Sequence, residues 1–270
     1  QFAAAGCDIF NFVVEISGYG YSRPLWPEPD RWDFSDLDDR AHRILAAVPH
    51  ALLLPRIYID APAWWCRANP EELMVLDDGS TSFGHTPFAL PRPDNFPSLA
   101  SPQWRADMQR ALRAVIEHVE QSDYAEHVIG YQLSGQKTEE WYHWSMNCER
   151  LGDYSVPMQR AFRQWLTLKY GTDQALQAAW NQPTVSLETA QIPSYTERVG
   201  DRSRTFRDMC TERAVIDFHT FWSDIMADTI DLFAGTQSVY VSSGSENSAS
   251  YTWTIQPAEA GTISVSSDGL

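Results

Sequence analysis

The segment Val128-Ile-Gly-Tyr-Gln-Leu-Ser-Gly-Gln-Lys-Thr-Glu-Glu-Trp141 is the most informative part of this chain, because it joins an apolar run to an acidic, aromatic loop. The run Val128 to Leu133 follows a long amphipathic stretch and is bounded by Ser134 and Gly135, which is typical of a buried parallel strand that ends in a loop. In (β/α) barrels the catalytic groups lie at such carboxyl ends of strands. The segment therefore predicts an alternating β/α protein with a site in this loop.

The loop that follows this strand contains two neighbouring carboxylates, Glu139 and Glu140, among ring side chains. Those rings are Trp141, Tyr142, His143 and Trp144. A carboxylic acid beside aromatic rings suits proton transfer to a sugar that stacks on the rings. The alternative is a solvated acidic turn beside aromatic side chains of the core.

The composition limits the class of protein and of partner. A chain of 270 residues with 43% hydrophobic residues can bury a substantial core, as one large domain or one domain plus a small module. The formal charge of −16 disfavours nucleic acid and anionic membrane as partners, since both require clustered Lys and Arg. A neutral substrate is easier to reconcile with this charge. The eleven Trp and eleven Tyr suit carbohydrate binding, although such rings also fill ordinary cores.

The cysteines and the hydropathy give expectations about metals, cofactors and membranes. Cys7, Cys66, Cys148 and Cys210 are widely separated and include no C-x-x-C pair, so we expect buried free thiols, no metal site and no cofactor. No signal peptide and no apolar run of about 18 residues is found, so no membrane span is expected. The chain begins at Gln1. The sequence leaves the compartment and the oligomeric state open, a homo-oligomer included.

The first hundred residues predict a β-α-β order. The run from Asp8 to Ile16 suits a strand buried on both faces, with Glu15 near its end. Ser35 is the predicted cap of a helix that reaches Val48. Residues 51–59 form the next predicted strand, and residues 60–65 its exit loop. Residues 66–100 are rich in Pro, Gly, Asp and Ser and predict a long excursion over one face of a barrel.

The rest of the sequence predicts helices, followed by a change in composition. Ser101-Pro102 opens a helix, and further helices carry apolar stripes that include Phe162 and Phe218. After Gly235 the chain turns to short β-prone pieces rich in Ser and Thr. We therefore predict a barrel portion at residues 1–235 and a β-rich tail at residues 236–270.

Several segments, in order, resemble the catalytic barrel of family 42 glycoside hydrolases, the bacterial β-galactosidases. In the family, one segment connects the second barrel strand to the helix that follows it. The segment Trp26-Pro-Glu-Pro-Asp-Arg-Trp-Asp-Phe-Ser-Asp-Leu-Asp38 is similar to it. Ala61-Pro-Ala-Trp-Trp65 resembles the proline-tryptophan loop of the family. The resemblance covers roughly the first 230 residues. It implies an α/β fold of the (β/α) TIM-barrel type and a retaining two-carboxylate glycoside hydrolase that acts on a neutral carbohydrate substrate.

The first departure from the family concerns the general acid/base. In the family pattern, Gly-Tyr-Gln is followed by a hydrophobic residue, Asp, Asn and the acid/base glutamate. Here the last three aligned residues are Ser134, Gly135 and Gln136, and an amide cannot exchange a proton at neutral pH. The resemblance therefore implies either that the role has moved to Glu140, with Glu139 as the next candidate, or that the barrel is catalytically disabled.

The second departure is length. The nucleophile of this clan lies at the seventh strand, whereas this chain holds about four or five strands, including a weakly marked one at residues 19–25. Glu246 is the one late acid at a strand-like exit, and a plain turn explains it better. We therefore expect an incomplete barrel without a recognisable nucleophile. Two other interpretations are a non-catalytic carbohydrate-binding barrel and a fragment of a larger glycosidase.

The remaining candidates for substrate binding lie at or beyond the carboxyl ends of strands. A structural alternative accompanies most of them: an internal salt bridge for the arginine, a cap for the aspartate, core packing for the histidine and packing for the Trp64–Trp65 pair. The candidates are Arg56, Asp60, Trp64, Trp65, Gln136, Trp141 and His143.

Overall fold

The computed structural model describes residues 5–18, 20–81, 95–136, 141, 150–199 and 206–236. The chain divides into two units, residues 1–238 and 239–270, and the described residues all lie in the first. The predicted β-rich tail at residues 236–270 falls outside the described residues, Thr236 excepted. Its assignment therefore stays a prediction.

A parallel three-stranded sheet forms the centre of the described structure. Its strands are β1 (Ile9–Glu15), β2 (Leu52–Tyr58) and β3 (Gln132–Ser134), in the order β1-β2-β3. The register pairs Glu15 with Tyr58 and Tyr58 with Ser134. The α/β class and the first two of these strands agree with the sequence prediction, because the apolar runs there are long and rich in branched side chains.

Two strand predictions need correction. The run predicted at residues 128–133 pairs continuously only from Gln132 onward, and Val128 makes an isolated bridge to Leu53. Gly130 separates these two contacts and adopts a φ of 152°, which other residues rarely tolerate. The weak strand predicted at residues 19–25 is wrong for its described residues, where Pro24 makes only a bridge to Glu15.

The described part of the chain contains seven α-helices. Ser101 caps α3, since its hydroxyl accepts the Trp104 N–H at 2.9 Å. Ser35 does not cap α1 as predicted. The residue before it, Phe34, holds the cap position, and the Asp33 carboxylate accepts the Ser35 N–H at 3.1 Å. The helices are α1 (Ser35–Ala47), α2 (Ala63–Ala68), α3 (Pro102–Glu120), α4 (Val156–Tyr170), α5 (Asp173–Trp180), α6 (Tyr195–Val199) and α7 (Arg213–Ala234).

The two faces of the sheet differ in character. One face carries Val14, Leu53 and Ile57 into a continuous core with side chains from the helices, such as Leu37 and Leu112. Each fully buried side chain of this kind contributes about 1.5 to 3 kcal/mol. The core thereby fixes which residues of each strand face the other way.

The opposite face is largely polar. Asn11 donates from Nδ2 to the Gln132 side-chain oxygen at 2.9 Å, across the width of all three strands. Arg56 lies on the same face, closer to the carboxyl end of β2. At the amino ends of β1 and β2, Ile9 and Leu52 are 57% and 36% exposed. In a closed (β/α) barrel this face would be the interior. The described residues contain three strands of one parallel sheet.

Candidate active site

The carboxyl ends of the three parallel strands meet at one edge of the sheet. Glu15, Tyr58 and Ser134 are aligned there by register. Two residues further along each chain segment stand Ser17, Asp60 and Gln136. All six side chains are at most 8% exposed, although four of them are hydroxyl or amide groups and two are carboxyl groups. Buried polar side chains usually need hydrogen-bond partners, so this edge of the sheet is the candidate site.

Glu15 organises the loop that follows β1. Its Oε2 accepts the backbone N–H groups of Gly20, Tyr21 and Ser22, each at 3.1 Å. The Ser22 side chain also contacts the Glu15 backbone N–H at 2.8 Å. Three N–H donors on one carboxylate oxygen stabilise the tight loop. Glu15 therefore shapes the rim of the site.

Arg56 and Asp60 lie on or beyond β2, as predicted. Arg56 donates from Nε to the Ser134 hydroxyl at 3.1 Å, so it connects β2 to β3. Asp60 is fully buried. Burial first, and the negative charge of Asp60 second, raises the pKa of the Cys66 thiol to about 12. This thiol stays protonated at neutral pH and is not a nucleophile.

Gln136 occupies the turn directly after β3. Its φ is 61°, in the left-handed region, and its carbonyl oxygen accepts the Tyr58 hydroxyl at 2.6 Å. Its side chain is fully buried, and within the described chain neither its Nε2 nor its Oε1 has a hydrogen-bond partner. A buried amide without a partner costs about 1 to 3 kcal/mol, which a bound ligand would recover.

Trp141 closes over the end of β3. Its backbone N–H donates to the Gly135 carbonyl at 3.0 Å, and its Nε1 donates to the Leu133 carbonyl at 3.3 Å. A Cβ atom added at Gly135 would lie 3.2 Å from the indole ring, so glycine permits this close approach. Trp141 is half-buried and follows Gln136 by five residues in the chain.

The two tryptophans after β2 have different surroundings. Trp65 is 1% exposed, and its Nε1 donates to Asp107 on α3 at 2.8 Å. These surroundings agree with packing, the alternative role of Trp65, and its role in substrate binding stays a prediction. Trp64 is half-buried and donates from Nε1 to the Trp26 carbonyl at 3.0 Å, with the two indole rings edge to face at 4.8 Å. Part of the Trp64 ring remains available to a ligand.

The acidic loop lies outside the described residues. This applies to the candidates Glu139, Glu140 and His143, and to Glu246 in the tail. The sequence prediction missed Ser17 and Tyr58, although the period of two along a strand could have identified them as neighbours of Glu15 and Arg56 on the same face.

Three further findings concern the metal site, the membrane span and the cysteines considered in the sequence analysis. Among the described residues no group of three His, Cys, Asp or Glu side chains is arranged to hold a metal ion. In the same part of the chain no helix has the length and apolar character that a membrane span needs. Cys66 is buried, whereas Cys7 and Cys210 are exposed, so the prediction of buried thiols is wrong for these two.

A sequence comparison identifies the family. The sequence model of glycoside hydrolase family 42, described as beta-galactosidase, matches residues 13–237. The curated relative beta-galactosidase BbgII of Bifidobacterium bifidum is 24% identical over 216 residues, which are 80% of this chain and 28% of the relative.

Solved structures share the fold. The beta-galactosidase of Halorubrum lacusprofundi matches 87% of this chain and 31% of its own at a TM-score of 0.61 and 20% identity. The enzyme of Bacillus circulans sp. alkalophilus gives the same coverages at a TM-score of 0.59 and 17% identity. The beta-amylase catalytic domain of Paenibacillus polymyxa matches 85% of this chain and 55% of its own at a TM-score of 0.60 and 14% identity. The chain spans less than a third of the length of its beta-galactosidase relatives.

Proposed function

Because the chain belongs to the beta-galactosidase family of glycoside hydrolase family 42, we propose that it forms the substrate-binding part of a (β/α) TIM-type barrel that hydrolyses a neutral galactoside. The observation that carries the proposal is the set of buried polar side chains at the carboxyl ends of three parallel strands. Active sites of (β/α) barrels lie at that end. The substrate is a carbohydrate.

We assign the general acid/base to Glu140, with Glu139 as the alternative. In the retaining mechanism, a carboxylic acid protonates the glycosidic oxygen while a second carboxylate, about 5 Å away, attacks the anomeric carbon. Gln136 cannot perform the first step, because an amide has no transferable proton at neutral pH. Glu140 follows it by four residues, in the same loop. The second carboxylate is not assigned to a residue of this chain.

We assign substrate binding to side chains around this acid. Arg56 lies on β2 and contacts the Ser134 hydroxyl, and Asp60 is buried two residues beyond that strand. Trp64 and Trp141 each retain part of an indole surface for stacking, which sugars favour. Gln136 offers an amide without a partner in the described chain. His143 completes the set as a sequence-based assignment.

The acid/base assignment is tested with two substrates that differ in leaving group. Glu140→Gln is expected to slow hydrolysis of lactose by about 10² to 10⁴-fold, since its leaving group needs a proton. Hydrolysis of an activated nitrophenyl galactoside should fall much less. Glu139→Gln is the matched control and should retain most activity with both. The reverse result moves the role to Glu139, and full activity of both variants refutes the assignment.

A non-catalytic carbohydrate-binding barrel is the second candidate. The observation in its favour is Gln136, an amide at the position where the family has its acid/base glutamate. Calorimetry that detects galactose binding, together with no turnover of either galactoside, would establish this alternative. Turnover that depends on Glu140 or Glu139 would exclude it.

A further inference from the structure

We propose that Ser17 and Gln136 together bind the hydroxyl groups of a single pyranose ring. They lie on either side of Asp60 in strand order, beyond the carboxyl ends of the three strands. This inference rests on the proposed function. It adds Ser17 to the site as a specificity-determining residue, and it gives Gln136 a role that does not require proton transfer.

The first observation is that both side chains are buried and lack partners among the residues that the structure describes. Ser17 is 8% exposed and Gln136 is fully buried. In the described part of the chain, the Ser17 hydroxyl and both polar atoms of the Gln136 amide lack a hydrogen-bond partner. Most buried polar side chains in folded proteins have at least one partner. Two such exceptions at the same edge of one sheet point to a common ligand.

The second observation is the spacing. Ser17 follows β1, Asp60 follows β2 and Gln136 follows β3, and β2 lies between the other two strands. Neighbouring strands are about 4.8 Å apart, so the outer two are roughly 10 Å apart. A pyranose with hydroxyl oxygens roughly 5 Å apart, plus a hydrogen bond of about 2.8 Å at each end, spans that distance. A single sugar ring therefore fits across the three strands.

The chemistry of the two groups selects a neutral ligand rich in hydroxyls. A serine hydroxyl and a glutamine amide can each donate and accept a hydrogen bond, and so can every sugar hydroxyl. An anion would meet the buried carboxyl group of Asp60 between them. A metal ion would need a set of acidic or imidazole ligands, and the described residues contain none of that kind.

Gln136 is also held in place for this task. The Tyr58 hydroxyl fixes its carbonyl, and the φ of 61° turns the chain immediately after the strand. The backbone of Gln136 is therefore held in place before a ligand binds. A preorganised group of this kind binds a ligand with less loss of conformational entropy.

The test is calorimetric titration with galactose, which does not depend on turnover. Ser17→Ala and Gln136→Met should each weaken binding by about 5 to 30-fold. Ser223→Ala is the matched control, because Ser223 lies on α7 with its hydroxyl on the His219 carbonyl, and it should bind like wild type. Thermal melting of each variant checks that the fold is retained.

Deoxygenated galactoses then identify the contacts. One of the 2-, 3-, 4- and 6-deoxy sugars should bind wild type more weakly than galactose does, by the same factor by which Ser17→Ala weakens galactose binding. Ser17→Ala should bind that deoxy sugar and galactose equally well. If Ser17→Ala is lost to misfolding, Ser17→Cys, which keeps the shape and weakens the hydrogen bond, should show the same pattern with a smaller change.

The outcomes separate this inference from the proposed function. If wild type, Ser17→Ala and Gln136→Met bind galactose equally well, the inference is overturned and the proposed function stands. Water rather than the sugar would then contact the two side chains. No binding of galactose or another neutral pyranose by wild type overturns both. Weakening in both variants, with the matching deoxy sugar, supports the inference.

Discussion

The hydroxyl of Tyr58 donates a 2.6 Å hydrogen bond to the backbone carbonyl of Gln136, 78 residues away in the sequence. This contact connects the end of β2 to the turn after β3. The Tyr58 ring is fully buried and packs with Met74 and Phe96 from the long segment between β2 and α3. One side chain thus joins the sheet, a covering segment and the turn that presents the Gln136 amide.

Tyr58→Phe should lower both stability and sugar affinity. The ring keeps its packing, whereas the Gln136 carbonyl loses its donor, so we expect a loss of about 0.5 to 1.5 kcal/mol in the free energy of unfolding. Chemical denaturation measures this loss, and titration with galactose measures the affinity. Tyr154→Phe is the control: its hydroxyl donates to the Pro193 carbonyl at 3.0 Å, so it should cost similar stability without a change in affinity. Equal sugar affinity in both variants would contradict the positioning role of Tyr58.

Gly135→Ala should displace Trp141. The added Cβ would lie 3.2 Å from the indole ring and 3.4 Å from the Ile59 carbonyl. Crowding of this kind typically costs about 1 to 3 kcal/mol. The double variant with Trp141→Leu should lose less stability than the sum of the two single variants, because the smaller side chain relieves the contact. Additive losses in a double-mutant cycle would show that the ring does not limit residue 135.

Asp217→Ala should destabilise the helical layer strongly. The carboxylate is fully buried and accepts from Lys169, Arg213, Tyr170 and Trp180 at 2.5 to 3.0 Å. Removal of one partner from a buried ionic network typically costs about 3 to 5 kcal/mol. Asp224→Ala is the control, since Asp224 is exposed on the same helix and accepts the Trp165 indole N–H at 2.8 Å. Denaturant titration should separate the two variants, and equal losses would argue against a central role for Asp217.

Asp153→Asn should stabilise the protein at neutral pH. Burial raises the pKa of the Asp153 carboxyl above its ordinary value of 3.8 and outweighs hydrogen bonds that favour the charged form. The folded protein thus keeps this proton to a higher pH than the unfolded chain. The stabilisation is complete below about pH 3.8 and is lost as the pH rises through the raised pKa. Asparagine keeps an oxygen for the N–H groups of Val75 and Ser155 and does not titrate.

The measurement for Asp153→Asn is the difference in free energy of unfolding from wild type across pH. The difference should be small near pH 3.5 and should grow in favour of the variant toward pH 7. Asp78→Asn serves as a control at an exposed carboxylate, where a hydrogen bond from Ser80 lowers the pKa, and its pH trend should have the opposite sign. A difference for Asp153→Asn that does not change with pH would contradict the effect of burial.

The sequence by itself determined the local elements and the family. The strands β1 and β2 follow from apolar runs of branched residues, and the start of α3 follows from Ser101 and Pro102, because these signals act within a few residues. The order of short motifs from Trp26 to Gln132 was sufficient to indicate the family, which the match over residues 13–237 confirms. The same local signals failed at Gly130, where the backbone interrupts a run that reads as one strand.

The tertiary structure decided the burial and the hydrogen-bond partners of the described candidate residues. Trp64 and Trp65 are adjacent and chemically identical, yet Asp107 on α3 accepts the Trp65 indole N–H and leaves only Trp64 partly accessible. Ser17 carries no sequence signal of its own, and its burial without a partner among the described residues depends on how β1, β2 and β3 align. Contacts between residues far apart in the sequence determine the burial and the hydrogen-bond partners of a side chain. The periodicity of one segment does not predict such contacts. The chain sequence therefore specifies the strands, and the packing of the sheet specifies which side chains are buried at their ends.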